Sequence, residues 1–169
     1  MNIVSKFTVG SEKGIDLYLA LKEAHLNEMY DGIIDPVELN TYIETELDRR
    51  TAINELNDLS TQLIIVFDHD KPLGYALIRK SFKQPIVLEG NKAVRLSFFI
   101  LSEYRVPEVF LSLWQKCLSV TRNHSHWTKL PVNNPMIPFL ETIDFTVAER
   151  SQSAPFNEPS QVMVRQNLC

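Results

Sequence analysis

Between Val94 and Leu118 the chain reads as a buried strand that turns straight into an amphipathic helix, and no other segment restricts the fold as much. Val94, Leu96, Phe98, Phe99, Ile100 and Leu101 form an apolar run of strand length. Ser102 to Glu108 make the turn, and Val109, Phe110, Leu113, Trp114, Cys117 and Leu118 then recur at helical spacing. Such a helix carries the chain back across a sheet, so the next strand can lie parallel to the first. The helix's first N–H groups also point at whatever sits above the strand end, where an anion is favoured. Tyr104-Arg105 begins as a phosphate-cradling loop would, without the glycines such a loop uses.

The remaining pattern supplies helices and strands around this unit. Ile3, Val4, Phe7 and Val9 predict a first strand. Ser11 can cap a helix running to about Tyr30, closed by Asp31-Gly32. Asp35, Pro36 and Glu38 are a cap, a first-turn proline and a capping-box carboxylate, with Leu39, Tyr42, Ile43 and Leu47 on one face. Helical character resumes through Ile53 and Leu56. Leu63 to Phe67 and Leu73 to Ile78 flank the turn Asp68 to Pro72 and read as a hairpin. Trp127 to Val132 is a short strand and Met136 to Ile143 a short helix with Pro138 in its first turn. Phe145 to Ala148 and Gln161 to Val164 form a last hairpin around a polar loop with Pro155 and Pro159. The order β-α-α-β-β-β-α-β-α-β-β predicts one layered α/β (α+β) domain over residues 1–169, its twisted sheet mostly antiparallel with helices on both faces.

Charge and composition exclude several classes. The 169 residues have 44% hydrophobic and 22% charged content, enough for a real core. A net charge of −4 without charge runs argues against nucleic-acid and anionic-membrane partners. The amino-terminal residues lack a signal-peptide pattern, and the apolar runs are too short to span a bilayer. Cys117 and Cys169 make no disulfide framework, which suggests a reducing, cytoplasmic setting. Cys117 and Trp114 lie on the apolar stripe and read as core. His124-Ser125-His126 reads as the close of the Pro107 helix, and with no completing ligands no metal site is expected. His25 reads as a helix-surface or boundary residue, and His69 as part of a solvated turn.

The order of elements and three local strings resemble the GCN5-related N-acetyltransferase (GNAT) family. The strings are Asp70-Lys71-Pro72-Leu73-Gly74-Tyr75, then Arg95 to Leu101 with Glu103-Tyr104-Arg105, then Asn133 with Phe139-Leu140 and Asp144-Phe145. The resemblance implies that acetyl-CoA or CoA is bound where two strands splay apart. Its pantetheine arm would run along Ile100 and Leu101, its pyrophosphate would sit on Arg105 and Val106 at the helix opening, and Asn133 would belong to the same cofactor site. It further implies acetyl transfer to an unidentified small-molecule or peptide amine. Oligomeric state is left open, a homodimer included.

This sequence departs from the family pattern at two places. Val106, Glu108 and Phe110 replace the loop glycines, and Pro107 has no N–H to offer. A carboxylate at Glu108 about 6 Å from two phosphate charges, at an effective dielectric of roughly 40, would be repelled by about 3 kcal/mol. Pro107 and Glu108 are also simply favourable first-turn residues. Leu140 stands where many members have a Tyr that protonates the leaving thiolate. Tyr104 is the candidate replacement acid and Glu103 the candidate base, with Glu89 behind it; each also reads as an ordinary packing or turn residue. Two functions follow: an acyl-CoA-dependent N-acyltransferase weakened by both departures, and a non-catalytic module that keeps the fold to bind a ligand or protein.

Overall fold

The computed structural model describes residues 1–80, 83–153 and 156–167; Pro155 and Cys169, read above as loop and thiol, lie outside the described residues. β1 (Ile3–Thr8) leads into α1 (Glu12–Tyr30), α2 (Pro36–Glu46) and α3 (Arg49–Asn57). The caps are those the side chains dictate. Ser11 accepts the Gly14 N–H, and Asp35 accepts the Val37 and Glu38 N–H groups. The helical stretch after Asp35 is divided in two, because Asp48 caps a new helix by accepting the Thr51 N–H at 3.0 Å.

β2 (Thr61–Asp68), β3 (Lys71–Arg79) and β4 (Ala93–Ile100) follow, then α4 (Pro107–Thr121), β5 (Ser125–Pro131), α5 (Ile137–Thr142), β6 (Thr146–Ser153) and β7 (Glu158–Arg165). Short 3-10 turns occupy Ile86–Leu88 and Ser102–Tyr104. The strands form one sheet in the order β1-β2-β3-β4-β5-β7-β6. Every neighbouring pair is antiparallel except β4 and β5, which the α4 crossover makes parallel.

Strand alternation sorts side chains onto two faces. Phe98 joins Ile64, Leu96, Val109, Phe110 and Leu113 under α4, while its neighbour Phe99 joins Ile15, Tyr18, Ile65, Tyr75 and Leu77 under α1 and α3. Cys117 and Trp114 belong to the α4 core. Gly74 pairs with Ile100 across β3 and β4, and a Cβ there would lie 2.3 Å from the Phe99 carbonyl oxygen.

One reading needs correcting. α4 ends at Thr121, and Ser125 and His126 open β5 rather than closing the helix. His126 is fully buried, and its Nε2 lies 2.9 Å from the Thr121 hydroxyl, so the strand start is drawn inward to meet the helix end.

Candidate functional site

β4 and β5 pair at three positions, Ala93 with Ser125, Val94 with His126 and Arg95 with Trp127, and diverge beyond them. The divergence opens a cleft at the carboxyl ends of both strands. Ser97 and Phe98 form one wall, Thr128 to Pro131 the other, and His25 and Met29 of α1 close one side. This part of the cleft holds about 70 Å³. An adjoining space of about 140 Å³ is bounded by Glu28, Arg105, Asn133 and Asn134 and shares His25, Met29 and Pro131 with it.

Arg105 lies across this opening. Its Nε donates to the Ile100 carbonyl at 3.0 Å, and its guanidinium pairs with the Glu28 carboxylate of α1. The cation expected to meet phosphate is thus balanced by a carboxylate and occupies the carbonyl at the end of β4. The opening of α4 offers few amides. Pro107 has none, and the Val109 and Phe110 N–H groups both donate to the Val106 carbonyl. Val106 and Glu108 are exposed. The Leu101 N–H donates to the Leu73 carbonyl at 2.9 Å, so it remains in the sheet ladder.

The other expected residues are distributed unevenly. Asn133 borders the same space as Arg105. Leu140, 1% exposed, borders the smaller space and belongs to the α4 core. Glu103 is exposed in the 3-10 turn, and Tyr104 packs against the α4 core with its hydroxyl accepting from the Lys71 ammonium. Neither borders the two spaces.

His25, read as a helix-surface or boundary residue, lies at the boundary: it is half-buried, its ring stacks on Phe99 at 4.7 Å and its Nδ1 lies 2.8 Å from the Tyr75 hydroxyl. Burial, then the charges of Lys22 and Arg105, hold its pKa down to about 4, so the ring is neutral at pH 7. A signal for this existed. Tyr18, Leu21, His25 and Met29 follow one another at three- and four-residue spacing, which puts His25 on the inward stripe of α1. Glu28 gave no such signal, since its partner comes from a distant element. Among the described residues no three His, Cys, Asp or Glu side chains are grouped as metal ligands would be, and no helix is long and apolar enough to cross a membrane.

No protein-family model and no curated protein matches this sequence. Solved structures do. The PaiA N-acetyltransferase from Thermoplasma acidophilum, in complex with coenzyme A, superposes with a TM-score of 0.73 at 11% identity, covering 96% of this chain and 98% of that one. The fold is the GCN5-related N-acetyltransferase fold. Other structures with the GNAT fold match over similar lengths. YncA from Salmonella typhimurium, a putative acetyltransferase with its cofactor acetyl-CoA, gives a TM-score of 0.61 at 12% identity over 98% of this chain and 94% of that one. The aminoglycoside N(6′)-acetyltransferase from Legionella pneumophila gives 0.65 at 16% identity over 97% and 91%. Identities this low speak to the GNAT fold and not to its chemistry.

Proposed function

We propose that this chain, working as one domain in a reducing cytoplasmic setting, is an acyl-CoA-dependent N-acyltransferase-like protein that takes the pantetheine arm of acetyl-CoA into the β4–β5 splay. The observation that carries this is the three-position pairing of the two parallel strands. Past Arg95, buried β4 residues turn backbone N–H and C=O groups toward a neighbour that has moved away, and buried backbone groups need partners. An extended chain with amides, such as pantetheine, fits such an edge as an added strand. Ile100 and Leu101 would border the arm, Arg105 and Val106 the pyrophosphate, and Asn133 the cofactor's flank. Arg105 must first leave Glu28 and Ile100, since the present spaces are well below the several hundred Å³ of ordinary ligand pockets.

In the reaction the amine nitrogen would attack the thioester carbonyl, the C–S bond would break, and the amine's proton would pass to a base. His25 is a neutral ring beside the cleft with its Nδ1 against the Tyr75 hydroxyl; in the tautomer in which Nδ1–H donates to Tyr75, Nε2 would take that proton as a weak base. Glu103 as base and Tyr104 as acid require a shift of their turn to reach the cleft. Positioning and polarisation of the carbonyl by backbone N–H groups would supply most of the acceleration. The acceptor would be a small-molecule or peptide amine.

A second reading, a non-catalytic binding module, is favoured by the Arg105–Glu28 pair and by Leu140. Thermal shift with acetyl-CoA and CoA, followed by thiol release with a panel of amines, separates the two. Ligand at a hundred times its dissociation constant stabilises by about 2.7 kcal/mol, a rise of roughly 6–10 °C at this chain length. A shift with amine-dependent thiol release supports transfer; a shift without release supports the module. No shift at millimolar concentrations of either compound overturns the acyl-CoA reading.

A further inference from the structure

A second hollow lies at the opposite end of β4, on the face covered by α1 and α3. Arg79 at the end of β3 stands directly across from Arg95 at the start of β4. Like charges opposed on neighbouring strands repel each other. Together with Lys80 and Lys83 they line a hollow of about 450 Å³, in which, among the described residues, the only carboxylates on the wall are Glu55 and Asp58. Both carboxylates are engaged. Glu55 accepts from Arg79 at 2.7 Å and from the Tyr18 hydroxyl at 2.9 Å. Asp58 accepts the N–H and hydroxyl of Ser60, each at 2.8 Å, and holds the turn into β2.

Glu55 therefore balances Arg79, and Arg95 has no such carboxylate partner among the described residues. Its Nε is buried with no acceptor among the described residues. Its guanidinium lies over the Trp127 ring at 5.1 Å, which sets its plane and leaves its charge in place. Burial, then the charge of Arg79, weigh against the charged form of Arg95. Cations gathered in this way are unexpected in a chain of net charge −4, and they raise the cost of folding unless an anion joins them.

We propose that this hollow is a binding site for a phosphate-bearing small molecule, separate from the β4–β5 splay. A phosphate group would give Arg95 the acceptor it lacks and would screen Arg79 from Arg95. Lys80 and Lys83 would add point charges at the rim. The hollow is larger than one phosphate group needs, so a phosphate ester fits it better than the free ion. The proposal is independent of acyl transfer.

Isothermal titration of the full chain with pyrophosphate, at ionic strength matched with chloride, tests it. Saturable submillimolar binding is expected. Lys80→Gln and Lys83→Gln should each weaken it by about tenfold, the effect of one charge roughly 6 Å away at intermediate dielectric. Arg95→Gln should abolish it, with circular dichroism reporting whether that variant folds; the lysine variants decide the matter if it does not. Arg105→Gln, in the splay, should leave unchanged the component of binding that the lysine variants weaken, whatever it does to pyrophosphate held in the splay. No saturable heat at millimolar pyrophosphate overturns the site, as does binding that is lost in Arg105→Gln and kept in the lysine variants. A single-stranded oligonucleotide that binds more tightly than pyrophosphate through the same lysines overturns the small-molecule assignment.

Discussion

Arg105 has one charge, and the proposed phosphate would compete with Glu28 for it. With Glu28 against it the pair is locally neutral, and a phosphate must displace a carboxylate to reach the guanidinium. Glu28→Gln removes the competitor and keeps the side chain's size. Because the pair is partly exposed, the gain is modest, about 1 kcal/mol or several-fold in acetyl-CoA affinity. Titration of both proteins with acetyl-CoA reads this directly, and unchanged affinity would show that Arg105 is not in the binding path. His25 and His126 make a second residue-scale prediction. Both are held down to about 4 in the folded chain, chiefly by burial, against an ordinary 6.5. The unfolded chain therefore binds more protons between those values, so this stability is fully present above pH 6.5 and is lost as pH falls through 4. Urea midpoints should drop steadily from pH 7 to pH 4.5, with about two protons taken up on unfolding near pH 5. His25→Gln with His126→Gln should flatten that slope.

At the scale of elements, the opening of α4 shows how a good helix start can be a poor phosphate cradle. Pro107 sets φ and Glu108 suits the positive end of the helix, while the Val106 carbonyl already engages the Val109 and Phe110 amides. Glu108 is exposed, so water screens the repulsion that its position in the sequence suggests. Glu108→Gly should accordingly raise acetyl-CoA affinity by less than about tenfold, below the roughly hundredfold of an unscreened pair; a larger gain in titration would place the carboxylate on the phosphates. Gly74 makes a different case. Alanine there would put a methyl group 2.3 Å from the Phe99 carbonyl, in a stretch where β3 and β4 cannot separate without breaking their ladder. Gly74→Ala should destabilise by about 2–4 kcal/mol, measured by urea unfolding. These elements were legible because their signals are local: caps at Ser11 and Asp35, alternation in β3, the apolar stripe of α4. The sequence reading had helical character resume through Ile53 and Leu56 but did not count α3 as a helix of its own, because Leu47 continues the apolar face past the point where Asp48 recaps the chain.

For the whole molecule, the splay is the feature on which the proposed cofactor binding turns. Acetyl-CoA laid along β4 should slow amide hydrogen exchange in residues 96–101 and 128–131 and leave β1 and β2 unchanged. Protection spread evenly over the sheet would instead mean general stabilisation without a ligand strand. The sequence by itself determined the seven strands, the helices apart from the separate α3, the crossover through α4 and hence the fold class, because caps, periodicity and turn chemistry act within a few residues of one another. It also placed Ile100, Leu101 and Arg105 at the end of one strand. Only the tertiary structure decided that β4 and β5 part after Arg95, that Arg105 meets Glu28 across 77 residues, that His25 stacks on Phe99, and that Arg79 faces Arg95. Those pairings depend on how helices and strands pack and register against each other, and side chains far apart in sequence acquire their electrostatic partners only once that packing exists.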